Sequence, residues 1–278
     1  MGCQAGSRQG TRCRQVSHTP ASELLGIADT AVDLVTHRLD RSGRQPALAI
    51  DTKSSRTDMV TDIDRWVEAQ LVQSILGIRP HDGILGEEGS SRPSESGVTW
   101  VIDPIDGTTN FIYDIPGYSI SVAASVEGRT VAGLVHDPVR DERFRATRGG
   151  GATRNGATIS VSSADDLSTA LVATGFSYDS DRRRAQAGSL VTILPAVRDI
   201  RRMGGAALDL CALACGRVDA YFERGLAPWD TAAGALIASE AGAVLDHDSV
   251  ADGAFFGSAP AIFDQFSKLL EEAGAHSA

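Results

Sequence analysis

The sequence predicts an α+β protein built in two halves that meet near residue 150. Three observations predict it. Two amphipathic helical segments lead the chain, a block of short β-rich runs bounded by turn residues follows, and beyond Leu171 strands alternate with helices. Residues 21–150 form the expected N-terminal α+β half and residues 151–278 the C-terminal α/β half, a division that suits the length of 278 residues. Residues 1–20 carry Arg8, Arg12 and Arg14 and no acid, and are expected to be a disordered tail.

Order is expected from Thr19-Pro20, an N-cap followed by proline at the first helical position. Leu24, Ala28, Ala31, Val35 and Leu39 then recur at helical spacing. A second helix runs from about Asp64 to Leu76, with Trp66, Val67, Leu71 and Ile75 assigned to one face and Gly77 and Pro80 ending it. Both helices should lay an apolar face on a core. Strands are predicted at Gly83–Gly86, Val98–Ile102, Ser119–Val126 and Val131–Val135, with Glu127-Gly128 as the hairpin turn between the last two. Gly149-Gly150-Gly151 and Asn155-Gly156 read as turn glycines. The second half is predicted as a strand at 171–174, a helix near 183–197, a helix at 206–214, a strand at 220–222, a helix at 231–241 and a closing helix from about 260 to 273.

Hydrophobic residues make up 42 % and charged residues 22 %, an ordinary globular composition that excludes disordered, collagen-like and coiled-coil chains. No stretch approaches the roughly 18 consecutive apolar residues of a membrane span, and the first 20 residues lack the apolar region of a secretion signal. A cytoplasmic protein with no membrane partner is expected. With 26 Lys+Arg against 36 Asp+Glu the net charge is −10, which argues against nucleic acid as the partner. Arg182-Arg183-Arg184 and Arg198, Arg201 and Arg202 therefore read as a solvated helix face or a subunit contact. Cys3, Cys13, Cys211 and Cys215 include no CxxC pair, so neither a disulfide framework nor a zinc ribbon is expected. Cys211 and Cys215 read as small buried hydrophobes, and the six histidines show no ligand spacing.

Chemistry collects in four acidic contexts. Gly86-Glu87-Glu88-Gly89 closes an apolar run and could be a plain turn. The run Trp100-Val101-Ile102-Asp103-Pro104-Ile105-Asp106-Gly107-Thr108-Thr109-Asn110-Phe111 carries a strand straight into two turn dipeptides. No basic residue lies within it, and two uncompensated carboxylates so close repel strongly; a divalent cation is the usual remedy. Asp230 in Pro228-Trp229-Asp230-Thr231 is either a helix N-cap or a ligand, and Asp64, after Lys53-Ser54-Ser55 and Asp58, is either the cap of the second helix or part of the site. Taken together, Glu87, Asp103, the Ile105 carbonyl, Asp106 and Asp230 are an all-oxygen set, which selects Mg²⁺, Mn²⁺ or Ca²⁺ over zinc or copper. Mg²⁺ normally shares its coordination with phosphate and water, so the set suggests phosphate chemistry. Neither a Walker loop nor a dinucleotide-binding glycine motif accompanies it. Trp100 and Trp229, each near a candidate ligand, read as packed aromatics bracing the site.

Asp103-Pro104-Ile105-Asp106-Gly107-Thr108-Thr109-Asn110-Phe111 and Trp229-Asp230-Thr231-Ala232-Ala233-Gly234 resemble the two signatures of the inositol monophosphatase family of Mg²⁺-dependent, lithium-sensitive phosphatases, in its bacterial form. Gly86-Glu87-Glu88 and the segment from Lys53 to Asp64 stand in the expected order, and the resemblance runs from about residue 22 to 274. It implies a layered αβαβα sandwich, a homodimer, and two or three Mg²⁺ ions, with Mn²⁺ as a possible substitute. It implies that Glu87, Asp103, Asp106, Asp230 and the Ile105 carbonyl hold the metals, Asp103 bridging two. Asp64 and Thr108, with Glu87, would activate the attacking water, and phosphate would pass directly to it, since no Cys or Ser nucleophile sits beside a base in these motifs. Asp106, Gly107, Thr108 and Asp230 would face the phosphate and its ester, while Gly204, Gly205, Ala206 and Glu223 would contact the sugar or polyol. Gly205 departs from the pattern, which has Ser or Thr there. The expected reaction is hydrolysis of myo-inositol 1-phosphate or a similar polyol monophosphate. The alternatives on the same fold are fructose 1,6-bisphosphate, histidinol phosphate or a phosphoadenosine nucleotide as substrate, or a non-catalytic role with RNA or in transcription.

Overall fold

A computed structural model describes residues 19–42, 50–52, 59–246 and 254–275. The tail up to residue 18, with Cys3 and Cys13, and the Lys53-Ser54-Ser55 run lie outside the described residues. Helix α1 (Ala21–Ser42) is followed by a two-stranded ribbon, β1 (Ile50–Thr52) with β2 (Met59–Thr61), and by α2 (Asp62–Ile78). Next come β3 (Gly83–Gly86), β4 (Ser91–Arg92), β5 (Val98–Asp106), the short α3 (Thr108–Ile112), β6 (Ser119–Val126), β7 (Arg129–Asp137), β8 (Glu142–Thr147), β9 (Gly151–Arg154) and β10 (Ala157–Thr158). The remainder is β11 (Leu171–Thr174), α4 (Ser180–Ile193), β12 (Asp199–Arg201), α5 (Ala206–Ala214), β13 (Ala220–Arg224), α6 (Pro228–Glu240), β14 (Val244–Asp246), β15 (Ala254–Ser258) and α7 (Phe263–Glu272). Among the described residues no helix is long and apolar enough to cross a membrane.

The strands form an eight-stranded sheet of order β10-β9-β8-β7-β6-β5-β3-β4 and a five-stranded sheet of order β12-β11-β13-β15-β14. Strand alternation dictates how helices cover them. In β5, Val98, Trp100 and Ile102 point to the side of α1 and α2, where they meet Leu24, Val32, Val67 and Leu71, while Val101 points to the opposite side. That opposite side packs on α5 and α6 through Leu210, Leu213, Leu236 and Ile237. These two helices are apolar nearly all round because a sheet lies on each side: Tyr221 and Phe255 of the second sheet reach them too. The outer face of the second sheet, with Val172, Phe222 and Phe256, is covered by Ile193 of α4 and by Phe266 and Leu270 of α7. The layers are therefore α1/α2, sheet, α5/α6, sheet, α4/α7, the αβαβα order expected. Small residues let the middle layer close up: a Cβ at Gly234 of α6 would lie 2.8 Å from Leu210 Cβ of α5, and one at Gly133 of β7 would lie 3.0 Å from the Ala233 carbonyl.

Two local expectations need correction. Trp66 is 37 % exposed rather than core-facing, because α2 turns Ile63, Val67, Leu71 and Ile75 inward and position 66 falls beside that stripe. The glycine-rich stretch around residue 150 is more than turns. It brackets β9, and Asn155 and Gly156, both at positive φ, turn the chain into β10.

Candidate active site

Parallel pairing sets the first two acids side by side. β3 and β5 run in register with Gly86 opposite Ile102, and the Glu87 N–H donates to the Ile102 carbonyl at 3.2 Å. Glu87, just past the end of β3, and Asp103, still within β5, are consequently set side by side. The turn carrying Glu87 is clasped by a residue the sequence did not single out, Glu68 of α2. Its buried carboxylate accepts the N–H groups of Glu88 at 2.8 Å and Ser90 at 2.9 Å. Any Cβ at Gly86 would overlap that carboxylate.

Asp103 and Asp106 are three apart and would point to opposite faces of a regular strand. A bulge prevents this. The register passes from Asp103↔Ser121 to Asp106↔Ser119, so two residues of β5 oppose one of β6 and both acids turn to the same side. Gly107 then takes φ 87, a left-handed conformation natural to glycine, and a Cβ there would sit 2.8 Å from the Gly117 carbonyl. Asp106 reaches the first turn of α5, where its carboxylate accepts the N–H groups of Ala206 at 3.2 Å and Ala207 at 2.8 Å. A Cβ added at Gly205 would lie 2.7 Å from Asp106 Oδ2, so a larger residue there requires the Asp106 carboxylate to shift.

Asp230 is not the N-cap of its helix. The helix begins earlier, at Pro228, and Asp230 sits in its first turn with Oδ2 accepting the Ala227 N–H at 2.6 Å. On β13, Glu223 accepts the Tyr221 hydroxyl at 2.9 Å, and the neighbouring strand makes room for it at Gly175, whose Cβ would overlap the Glu223 carboxyl. Glu87, Asp103, Asp106, Gly107, Thr108, Gly204, Gly205, Ala206, Glu223 and Asp230 all line one cavity of about 180 Å³. Asp64, in the first turn of α2, and Ile105 are buried and do not line the cavity, and the Ile105 carbonyl accepts the Thr108 hydroxyl at 3.1 Å. Trp100 does not line the cavity but donates its indole N–H to Asp82 at 2.9 Å, and Trp229 is partly buried in the middle layer.

The acids strain one another. Burial, followed by repulsion from Glu87, Asp106 and Asp230, pushes the Asp103 carboxyl well above the usual carboxylate range. Burial and Asp230 do the same to Asp106, against the pull of the Ala207 N–H. Burial raises Asp230 to about 6. Buried Asp103 Oδ1 has no hydrogen-bond partner. Among the described residues no three His, Cys, Asp or Glu side chains stand close enough together to hold a metal ion as they are placed. The donors nevertheless suit a hard divalent ion: they are oxygens, their repulsion calls for a cation, one is unsatisfied, and the open side leaves places for water and phosphate.

The sequence reading also missed Asp209, Arg202 and Gly175, all on the cavity wall. Asp209 had a signal, as the lone charge in the apolar run Ala206-Ala207-Leu208-Asp209-Leu210-Cys211-Ala212-Leu213-Ala214. Cys211 is fully buried in that helix, as expected of a small hydrophobe.

Glu223 has a testable pH signature. Burial raises it to about 7 from its ordinary 4.5, although the Tyr221 hydroxyl and Arg202 pull the other way. A carboxyl raised on folding costs nothing below its unfolded pKa, and its penalty grows until pH passes the folded value; the shift corresponds to about 3 kcal/mol. Glu223→Gln should therefore raise the melting temperature in EDTA at pH 8 and leave it nearly unchanged at pH 4.5. Equal shifts at both pH values would contradict this.

Fold and cavity together define a layered αβαβα sandwich with a carboxylate-lined site where its middle helices begin. The chain belongs to the inositol monophosphatase family, whose model matches residues 21–255. It is 46 % identical over 237 residues to the inositol-1-monophosphatase SuhB of Mycobacterium tuberculosis, covering 80 % of this chain and 81 % of that one. It is 40 % identical over 227 residues to the Nus factor SuhB of Vibrio cholerae, covering 80 % of this chain and 84 % of that one. The crystal structure of the extragenic suppressor protein suhB from Bartonella henselae superposes with a TM-score of 0.84 at 30 % identity, over 90 % of this chain and 99 % of that one.

Proposed function

We propose that this chain is a Mg²⁺-dependent phosphomonoesterase that hydrolyses a sugar or polyol monophosphate, with myo-inositol 1-phosphate as the first candidate. The observation that carries the proposal is the single cavity in which Glu87, Asp103, Asp106 and Asp230 converge and Glu223 faces them. Glu87, Asp103, Asp106, Asp230 and the Ile105 carbonyl would hold two or three Mg²⁺ ions, with Mn²⁺ as a substitute. Bound there, such ions supply an acidified water and neutralise charge on the departing oxygen.

The chain's own residues set the geometry. Asp64 and Thr108 would orient the attacking water and take its proton. The N–H groups of Gly107 and Thr108, where β5 turns into α3, would hold phosphate oxygens. Asp106, tied to α5 through Ala206 and Ala207, keeps the phosphate end of the cavity registered to the sugar end. Gly204, Gly205 and Ala206 would lie against the polyol, and Glu223 would accept its hydroxyls. An acid there repels a second phosphate, which disfavours fructose 1,6-bisphosphate and phosphoadenosine phosphate. Relatives named inositol-1-monophosphatase support the same substrate. A cytoplasmic homodimer inhibited by lithium completes the proposal.

The test is phosphate release from inositol 1-phosphate, fructose 1,6-bisphosphate, histidinol phosphate and phosphoadenosine phosphate, each with Mg²⁺ and with EDTA. Release led by inositol 1-phosphate and abolished by EDTA is expected. Release unaffected by EDTA overturns the metal assignment, and release led by a bisphosphate overturns the role given to Glu223.

The relatives named Nus factor favour a second reading, a role in transcription. Its arginines are largely engaged at home: Arg184 pairs with Asp181, Arg201 with Asp199, and Arg183 and Arg198 donate to backbone carbonyls. Salt-sensitive RNA binding in the same preparation, with no phosphate release, would establish this reading in place of the first.

A further inference from the structure

The proposed reaction uses Glu87, Asp103, Asp106, Asp230 and Glu223 of the cavity, and it leaves one buried acid on its wall without a task. Asp209 stands in the first turn of α5, 1 % exposed, on the wall of the same cavity. Its Oδ1 has no hydrogen-bond partner. Its surroundings make it costly: burial, then Glu223 and Asp106, push its carboxyl up, and only Arg202 acts in the opposite direction. Helix α5 is otherwise apolar and packs on both sheets, so an aliphatic side chain would serve its packing better. A buried carboxyl with an unsatisfied oxygen destabilises a fold unless a ligand group pairs with it.

We propose that Asp209 is a specificity residue that, together with Glu223, forms a two-acceptor wall for substrate hydroxyl groups. The inference deepens the polyol-phosphate reading and rests on it. Hydroxyls are the donors that suit two carboxyl oxygens in a small, partly desolvated space. A phosphate or carboxylate brought to the same wall would meet two acids and one guanidinium. One acceptor recognises a hydroxyl; two at separate points on the wall recognise a polyol in one orientation and pass over an ester with no hydroxyl. Asp209 makes no contact with the reacting atoms in this account, so its loss should weaken binding of the polyol without slowing turnover of bound substrate.

The test uses the full chain with Mg²⁺ and compares the wild type with Asp209→Leu, and with Asp209→Asn should the first variant not fold. Steady-state kinetics are measured on myo-inositol 1-phosphate and on phenyl phosphate, which has no hydroxyl. The expected result is a KM for inositol 1-phosphate raised about fivefold or more, the loss of one hydrogen bond. In the same variant kcat and both constants for phenyl phosphate should change less than about twofold, and the melting temperature should not fall. An unchanged KM, or equal losses on the two substrates, overturns the proposal. A wild type that treats the two substrates alike overturns it while the phosphatase reading stands, and a wild type that cleaves neither overturns both.

Discussion

Asp103→Asn is expected to stay folded and to lose at least about 10²-fold in phosphate release, the scale on which removal of one transition-state charge contact is felt. The substitution keeps the shape of the side chain and removes its charge. In EDTA the variant should melt higher than the wild type, because the native carboxylate is buried, has an unsatisfied oxygen and is repelled by Glu87, Asp106 and Asp230. In Mg²⁺ the order should reverse. A ligand at 100 times its Kd stabilises by about 2.7 kcal/mol, and only the intact site gains all of it. Differential scanning fluorimetry in the two buffers reads the crossing directly. An Asp103→Asn protein with full turnover, or one that ranks the same in both buffers, would remove Asp103 from the metal site.

Gly86→Ala carries the second large effect, on stability. The added methyl would overlap the Glu68 carboxylate, which is 2 % exposed and has no free space to retreat into. Moving it breaks the bonds to the Glu88 and Ser90 N–H groups, each a charge-assisted hydrogen bond. The expected cost is about 3 kcal/mol in urea denaturation, accompanied by reduced activity, since the same turn carries Glu87. Glu68→Ala should cost a similar amount, and the double variant little more than either, because both act on one clasp. Strict additivity in that cycle would show that Gly86 and Glu68 act independently.

These two residues also show where sequence reading stops. Asp103 was legible because its context is local: a strand, two turn dipeptides and no basic residue in the run from Trp100 to Phe111. Glu68 was not, because its partners are 20 and 22 residues away and its own helix gives no sign that this glutamate turns inward. Asp209 lay between these cases. Its isolation in an apolar helix was visible, but its neighbours on the cavity wall come from other strands. The short apolar strands β3, β6 and β11 were placed to the residue. The short β9 and β10 were absorbed into their flanking glycines, since four residues and two carry too little pattern to separate from turns. Layer order followed from the family resemblance. Local pattern could not have supplied it, because the apolar α5 and α6 reveal burial but not what lies on each side.

The central claim is that the carboxylates gathered at this cavity hold divalent metal for phosphate chemistry. Calorimetric titration of the metal-free chain with Mg²⁺, run side by side on the wild type and Asp103→Asn, tests it most directly. More than one ion is expected to bind per wild-type chain, and at least one of them is expected to be lost in the variant. Identical isotherms for the two proteins, or no saturable binding to the wild type, would contradict it.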